Sequence, residues 1–153
     1  MLRSQTKLRS VLVCGVLLLV KQYVVFSMTI ELQAITSDKA PAAVGPYSCA
    51  LGYQNTVYVS GQLPIGPDGT MPESAAEQAR QSLQNVEHLL VSAGLSLKNI
   101  VKTTVFLTNM DDFAEVNKVY GSILSAPYPA RSCIEVSKLP KGAKVEIECV
   151  AVR

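Results

Sequence analysis

Residues 144–152 alternate cleanly. Val145, Ile147, Cys149 and Ala151 point one way, and Glu146 and Glu148 point the other. That pattern reads as a strand with one face against a core. A second alternating stretch, 131–136, precedes it, with Arg131, Cys133 and Glu135 on one side and Ser132, Ile134 and Val136 on the other. Pro140 and Gly142 lie between the two and supply a turn. Paired as a hairpin, the strands would put an arginine, a thiol and a carboxylate on one surface of a sheet. Pattern leaves the register open, and with it whether Glu146 or Glu148 lies nearer Arg131. Taken as pattern, such a surface is an ordinary salt-bridged sheet face, because charged cross-strand pairs are common and contribute little.

The preceding chain supplies the rest of a sheet and two helices. Residues 29–35 read as a first strand, and 40–46, with two prolines and Gly45, as a loop. Residues 47–51 and 56–60 form a predicted hairpin that Gly61 ends, followed by a turn at Asp68 and Gly69. Ser74 and Glu77 make a capping box. Behind it, Ala79, Leu83, Val86, Leu90 and Ala93 recur at helical spacing up to Gly94, the expected stop. A β-branched strand spans 99–107. A second helix begins within 108–112 and turns Phe113, Val116, Tyr120 and Leu124 to the core, ending before Pro127. The order β-β-β-α-β-α-β-β predicts an α+β sandwich with both helices on one face of the sheet. The other face would carry polar and apolar residues together, among them Ile100, Phe106, Val150 and Val152.

At 153 residues the chain is one domain long and needs no staples. Residues 1–27 stand apart: Arg3, Lys7, Arg9 and Lys21 with no acid flank the apolar run 11–20. The run is short for a bilayer span and is laid out like a secretory signal; its lack of acids also suits a mitochondrial presequence, and Met28 offers an alternative start. We therefore set 1–27 aside as a leader or upstream extension and take 28–153 as the folded domain. Of 14 Lys/Arg against 12 Asp/Glu in the whole chain, the leader holds four cations, which leaves the domain with 10 against 12. That slightly acidic balance argues against a nucleic-acid surface. Cys14, Cys49, Cys133 and Cys149 show no C-x-x-C pairing, so neither a disulfide framework nor a zinc site is expected, and a reducing compartment fits. His88, the single histidine, falls off the helix stripe and cannot build a metal site. No G-x-S-x-G, H-E-x-x-H, P-loop or G-x-G-x-x-G occurs.

The residues 129–148 read P-A-R-S-C-x-E-V, then x-L-P-K, then K-V-E-I-E. With A-P-A-A-V-G-P-Y at 40–47, V-S-G-Q at 59–62 and V-K-T-T-V-F at 101–106, the segment resembles the reactive intermediate deaminase A family (Rid, or YjgF-like). The resemblance covers 30–153. It implies a chorismate-mutase-like fold, a trimer-forming mixed sheet with two helices on one face. It also implies a cofactor-free, cytoplasmic enamine/imine deaminase that works on a small imino acid at sites between the subunits of a homotrimer, with no nucleic-acid or stable membrane partner. A mitochondrial or exported location follows instead if 1–27 is a working targeting peptide. The expected substrates are 2-iminobutanoate, 2-iminopropanoate and related products of 2-aminoacrylate chemistry. Rival readings are a ligand-binding regulatory module without turnover, and a ribonuclease or translation inhibitor.

Matched to the family's motif, Arg131 holds the substrate carboxylate, for which a guanidinium's two parallel donors are suited. Glu146 matches the carboxylate that positions or activates water; by pattern, Glu148 fits that description equally. Cys133 shares the Arg131 face. A nearby cation could activate its thiol, while a lone cysteine is more often a small hydrophobe; the resemblance implies that it lines the site without covalent catalysis. Tyr47, Ser60, Gly61 and Asn117 are carried over by resemblance as substrate-binding residues: Tyr47 as a cover, Ser60 and Gly61 as donors to a small anion, Asn117 as an orienting amide. No metal is expected.

Overall fold

A computed structural model describes residues 30–153, so the reading of 1–27 as a leader lies outside them. The strands are β1 (Leu32–Ile35), β2 (Ala50–Tyr53), β3 (Thr56–Gln62), β4 (Ile100–Leu107), β5 (Ala130–Glu135) and β6 (Val145–Val152). The helices are α1 (Ala75–Ser92) and α2 (Phe113–Ile123). The predicted element order and the α+β class are therefore those observed. One mixed sheet runs β1-β2-β3-β6-β4-β5. It is antiparallel throughout except at its last pair, where β5 lies parallel to β4.

The last two strands do not form a hairpin, because β4 lies between them. Strands β3 and β4 both run antiparallel to β6, so α1 carries the chain across a gap that β6 later fills. The physical reason lies in burial. Val145, Ile147, Cys149 and Ala151 are all at most 3% exposed, and a strand with so continuous an apolar face gains most from a neighbour on each edge. Strand β5 is largely exposed and takes the outer edge. A buried glutamine pins the connection between them: Lys144 and Val145 donate their N–H groups to Gln78 Oε1 at 2.7 and 3.3 Å, and Gln78 Nε2 donates to the Pro72 carbonyl at 2.8 Å.

Helix α1 forms one half of the expected capping box. Ser74 Oγ accepts from Glu77 N at 3.2 Å, whereas the Glu77 carboxylate pairs with Arg80 at 3.4 Å rather than turning back to complete a box. Gly94 follows the helix at φ +74°, a left-handed position suited to glycine. The stripe Ala79, Leu83, Val86 and Leu90 is fully buried, with Leu89 beside it. It packs on β3, β6 and α2, so both helices cover the same face of the sheet.

Other sequence expectations shift locally. Gly61 does not end β3; the strand runs on to Gln62 through a register irregularity between Val59 and Gln62. Phe113 is not in the core but 38% exposed, because α2 begins there, directly after a single 3-10 turn at Met110–Asp112. Ile100 belongs to the core rather than the outer sheet face: it is 6% exposed, and an irregularity between Ile100 and Lys102 reverses its side.

Candidate functional site

Cross-strand register sorts the candidate residues into two groups. Arg131 pairs with Thr103, which pairs in turn with Cys149. Side chains at matched positions share a face, so Arg131, Cys133 and Glu135 lie on the side covered by the helices. Glu146 pairs with Phe106 and Glu148 with Thr104, both on the opposite side. The sheet thus separates Arg131 from both glutamates within one chain. The carboxylate that does share the Arg131 side is Glu135, and it is already engaged: its Oε2 accepts from Met110 N at 2.7 Å, at the entrance to α2.

The first group is built around Arg131. Its guanidinium lies over the Tyr120 ring, 4.5 Å from the centroid, and 5.6 Å from that of Phe113. Tyr120 is buried, and its hydroxyl is 2.8 Å from Thr103 Oγ1 on the neighbouring strand. Among the described residues the one ion pair is Arg80–Glu77, so no described carboxylate neutralises Arg131. An open cavity of ≈ 380 Å³ adjoins it, lined by Asn117, Tyr120, Gly121, Tyr128, Pro129 and Arg131. Asn117 is exposed on α2, one helical turn before Tyr120 and Gly121. Cys133 packs partly against the core. Burial pushes its thiol up from the ordinary cysteine value, and Arg131 only partly opposes this. A raised thiol pKa disfavours the thiolate that a nucleophile needs, and Cys133 is not among the residues that line the cavity.

The second group gathers where β3 meets β6. The Glu146 carboxylate lies against the α-carbon of Gly61, and a side chain on Gly61 would overlap Glu146 Oε1. Burial, and then repulsion from Glu148, raise the Glu146 pKa above the ordinary carboxylate value. Ser60 Oγ donates to the Ser48 carbonyl at 2.7 Å, so its proton is committed to the fold while its lone pairs stay free. Tyr47, the residue before Ser48, is 51% exposed; its hydroxyl accepts from Val44 N at 3.5 Å. The sequence-predicted residues therefore fall into two clusters: Arg131, Cys133 and Asn117 in one, Ser60, Gly61 and Glu146 in the other, with Tyr47 beside the second.

Tyr120, Gly121, Tyr128 and Pro129 also line this cavity, and the sequence pattern does not single them out for it. Helical spacing places Tyr120 in the core, and it is buried there. The available signal was its place three residues after Asn117, on the same side of a helix. Among the described residues no group of His, Cys, Asp or Glu could hold a metal.

The fold is an α+β sandwich, and among its described residues the Arg131 guanidinium lies over aromatic rings with no carboxylate partner. The chain belongs to the family described as Endoribonuclease L-PSP, whose model matches residues 37–153. It is 47% identical over 125 residues to the 2-iminobutanoate/2-iminopropanoate deaminase of Escherichia coli (strain K12), covering 79% of this chain and 98% of that protein. Among solved structures it is similar to the YjgF gene product of E. coli, at 46% identity and TM-score 0.77 over 79% of this chain and 98% of that one. It is also similar to E. coli TdcF with bound serine, at 44% identity and TM-score 0.75 over 79% and 98% of the two chains.

Proposed function

We propose that the protein is a cofactor-free enamine/imine deaminase that hydrolyses 2-imino acids such as 2-iminobutanoate and 2-iminopropanoate, the tautomers of 2-aminoacrylate-type products of pyridoxal-phosphate enzymes. The observation that carries this reading is Arg131: a guanidinium without a carboxylate partner among the described residues, beside a cavity large enough for a three- or four-carbon acid. It clamps the substrate carboxylate with two parallel hydrogen bonds. Glu146 accepts a proton from water as the water oxygen bonds to the imine carbon. The C=N π electrons move to nitrogen, which takes up a proton. The resulting carbinolamine then collapses, expelling ammonia and leaving the 2-keto acid. Imines hydrolyse unaided in water, so orientation and a poised water suffice.

In this reading the site forms between subunits of a homotrimer. Arg131 and Glu146 lie on opposite sides of one sheet, so the Arg131 group of one copy meets the Glu146 group of the next. An outer sheet face with Leu32, Tyr58, Ile134 and Val152 all at least 38% exposed supports such an assembly. No helix among the described residues is long and apolar enough to cross a membrane. We place the protein in the cytoplasm, or in the mitochondrion or outside the cell if 1–27 directs it there. Cell fractionation of the full chain tests this.

The direct test is keto-acid release from freshly generated imines. Arg131→Ala is expected to lower kcat/KM about 100-fold, the loss of a charge-assisted clamp worth about 3 kcal/mol. Unchanged activity would refute the clamp. An RNA-cleaving activity needs a surface that holds phosphates, which a domain with 10 Lys/Arg against 12 Asp/Glu is poorly composed to provide.

A further inference from the structure

We propose that Tyr120 is a positioning residue for Arg131: anchored by Thr103, its ring fixes the guanidinium in the orientation that receives a carboxylate. This rests on the reading of Arg131 as the anion clamp, and it identifies what holds that clamp in place.

An arginine side chain ordinarily keeps its orientation by donating to acids or carbonyls, and each such bond uses donors that a ligand would need. Arg131 solves the conflict differently. No described carboxylate lies within ion-pair reach of it, and Glu135, the nearest acid along its own strand face, is spent on Met110 N. What lies beneath the guanidinium is the Tyr120 ring, 4.5 Å from centroid to charge, with Phe113 at 5.6 Å. An aromatic face attracts the planar cation without consuming any of its N–H donors. The in-plane fork is left for two oxygens of one carboxylate.

The shelf itself is fixed from two directions. Tyr120 is 4% exposed in the core, so its ring has little freedom to turn. Its hydroxyl meets Thr103 Oγ1 at 2.8 Å. Thr103 is 1% exposed and is the cross-strand partner of Arg131 itself. Backbone pairing from Arg131 to Thr103, the hydroxyl contact from Thr103 to Tyr120, and the ring under the guanidinium therefore close a loop. Every member lies on the helix-covered side of β4 and β5. Opening the loop at Tyr120 frees the guanidinium to sample other rotamers, and the carboxylate must then order it on binding.

The test reads binding separately from turnover. Calorimetric titration of the full-length protein with 2-oxobutanoate measures the clamp even if the chain does not hydrolyse imines, and keto-acid release measures the reaction. Tyr120→Met keeps bulk without an aromatic face and is expected to raise the 2-oxobutanoate Kd about tenfold. Tyr120→Phe restores the face and should recover most of that loss, to within about threefold of the parent. In an Arg131→Ala background the Tyr120→Met change should have no further effect, the signature of action through the arginine. Thr103→Val, which removes the hydroxyl anchor of Tyr120 at nearly constant shape, should raise Kd about threefold and serves if Tyr120→Met does not fold. An unchanged Kd in Tyr120→Met overturns the proposal, as does an undiminished loss in the Arg131→Ala background. If only Thr103→Val can be measured, an unchanged Kd there overturns it. Loss of imine hydrolysis in the parent protein with the binding pattern intact would sink the deaminase reading and leave this one standing.

Discussion

Glu146 illustrates how a single residue's environment sets its chemistry. Burial and the neighbouring Glu148 raise its pKa, so its charged form is penalised in the fold. A group raised in this way contributes stability fully present below its unfolded value near the ordinary carboxylate range, and lost as pH rises through the raised folded value. Glu146→Gln should therefore melt higher than the parent at pH 7.5, by on the order of 2 °C, and no higher at pH 4. In the keto-acid assay the same variant should lose about 100-fold in kcat. Gly61→Ala probes the same carboxylate from the other side. Its added methyl must displace Glu146, which we expect to cost about tenfold in kcat with little change in melting temperature, since the displaced atoms end a flexible side chain. For Cys133, with its thiol pushed up by burial, Cys133→Ser should keep activity within about fivefold of the parent. Cys149, pushed up to about 12 by burial and then by Glu148, should resist thiol reagents until the protein unfolds, as peptide mapping after labelling would show.

Among the elements, α1 packs on β6, the strand that carries Glu146. Their contact depends on a buried apolar stripe and on one polar pin. Leu83 is fully buried at the centre of α1, so Leu83→Ala should destabilise by about 3–5 kcal/mol in denaturant titration. Gln78 is 3% exposed and holds two backbone N–H groups at the entrance to β6. Gln78→Ala leaves those donors unsatisfied, for about 1–3 kcal/mol. That loss should exceed the loss for an exposed α1 position such as Gln84. The stripe was legible in the sequence because helical periodicity is local. The pin was not, because the partners of Gln78 lie 66 and 67 residues away.

At the scale of the molecule, the proposed trimer is tested at the sheet's outer face, where Leu32, Tyr58, Ile134 and Val152 are exposed. A mass of three chains of 16.4 kDa by light scattering is expected at micromolar concentration, and a monomeric mass would exclude a site shared between copies. Tyr58, 50% exposed on that face, gives the complementary variant. Tyr58→Glu should shift the protein towards monomers and remove most imine hydrolysis, while Arg131 and its shelf remain intact within each chain.

The α+β order, the long helix with its cap and stop, and the faces of β5 and β6 are legible in the sequence, because each follows from alternation or helical period over a few neighbouring residues, whereas the irregularity that turns Ile100 into the core is not. The motif around Arg131 and Glu146 was equally legible as a pattern of side chains. Only the tertiary structure determined that β4 separates the last two strands, that Arg131 and Glu146 occupy opposite sides of the sheet, and that Tyr120 lies beneath the guanidinium. Those relations depend on which strand fills the gap under α1. That choice is made by the burial of whole faces against one another, a sum over contacts distant in the chain that no local pattern records.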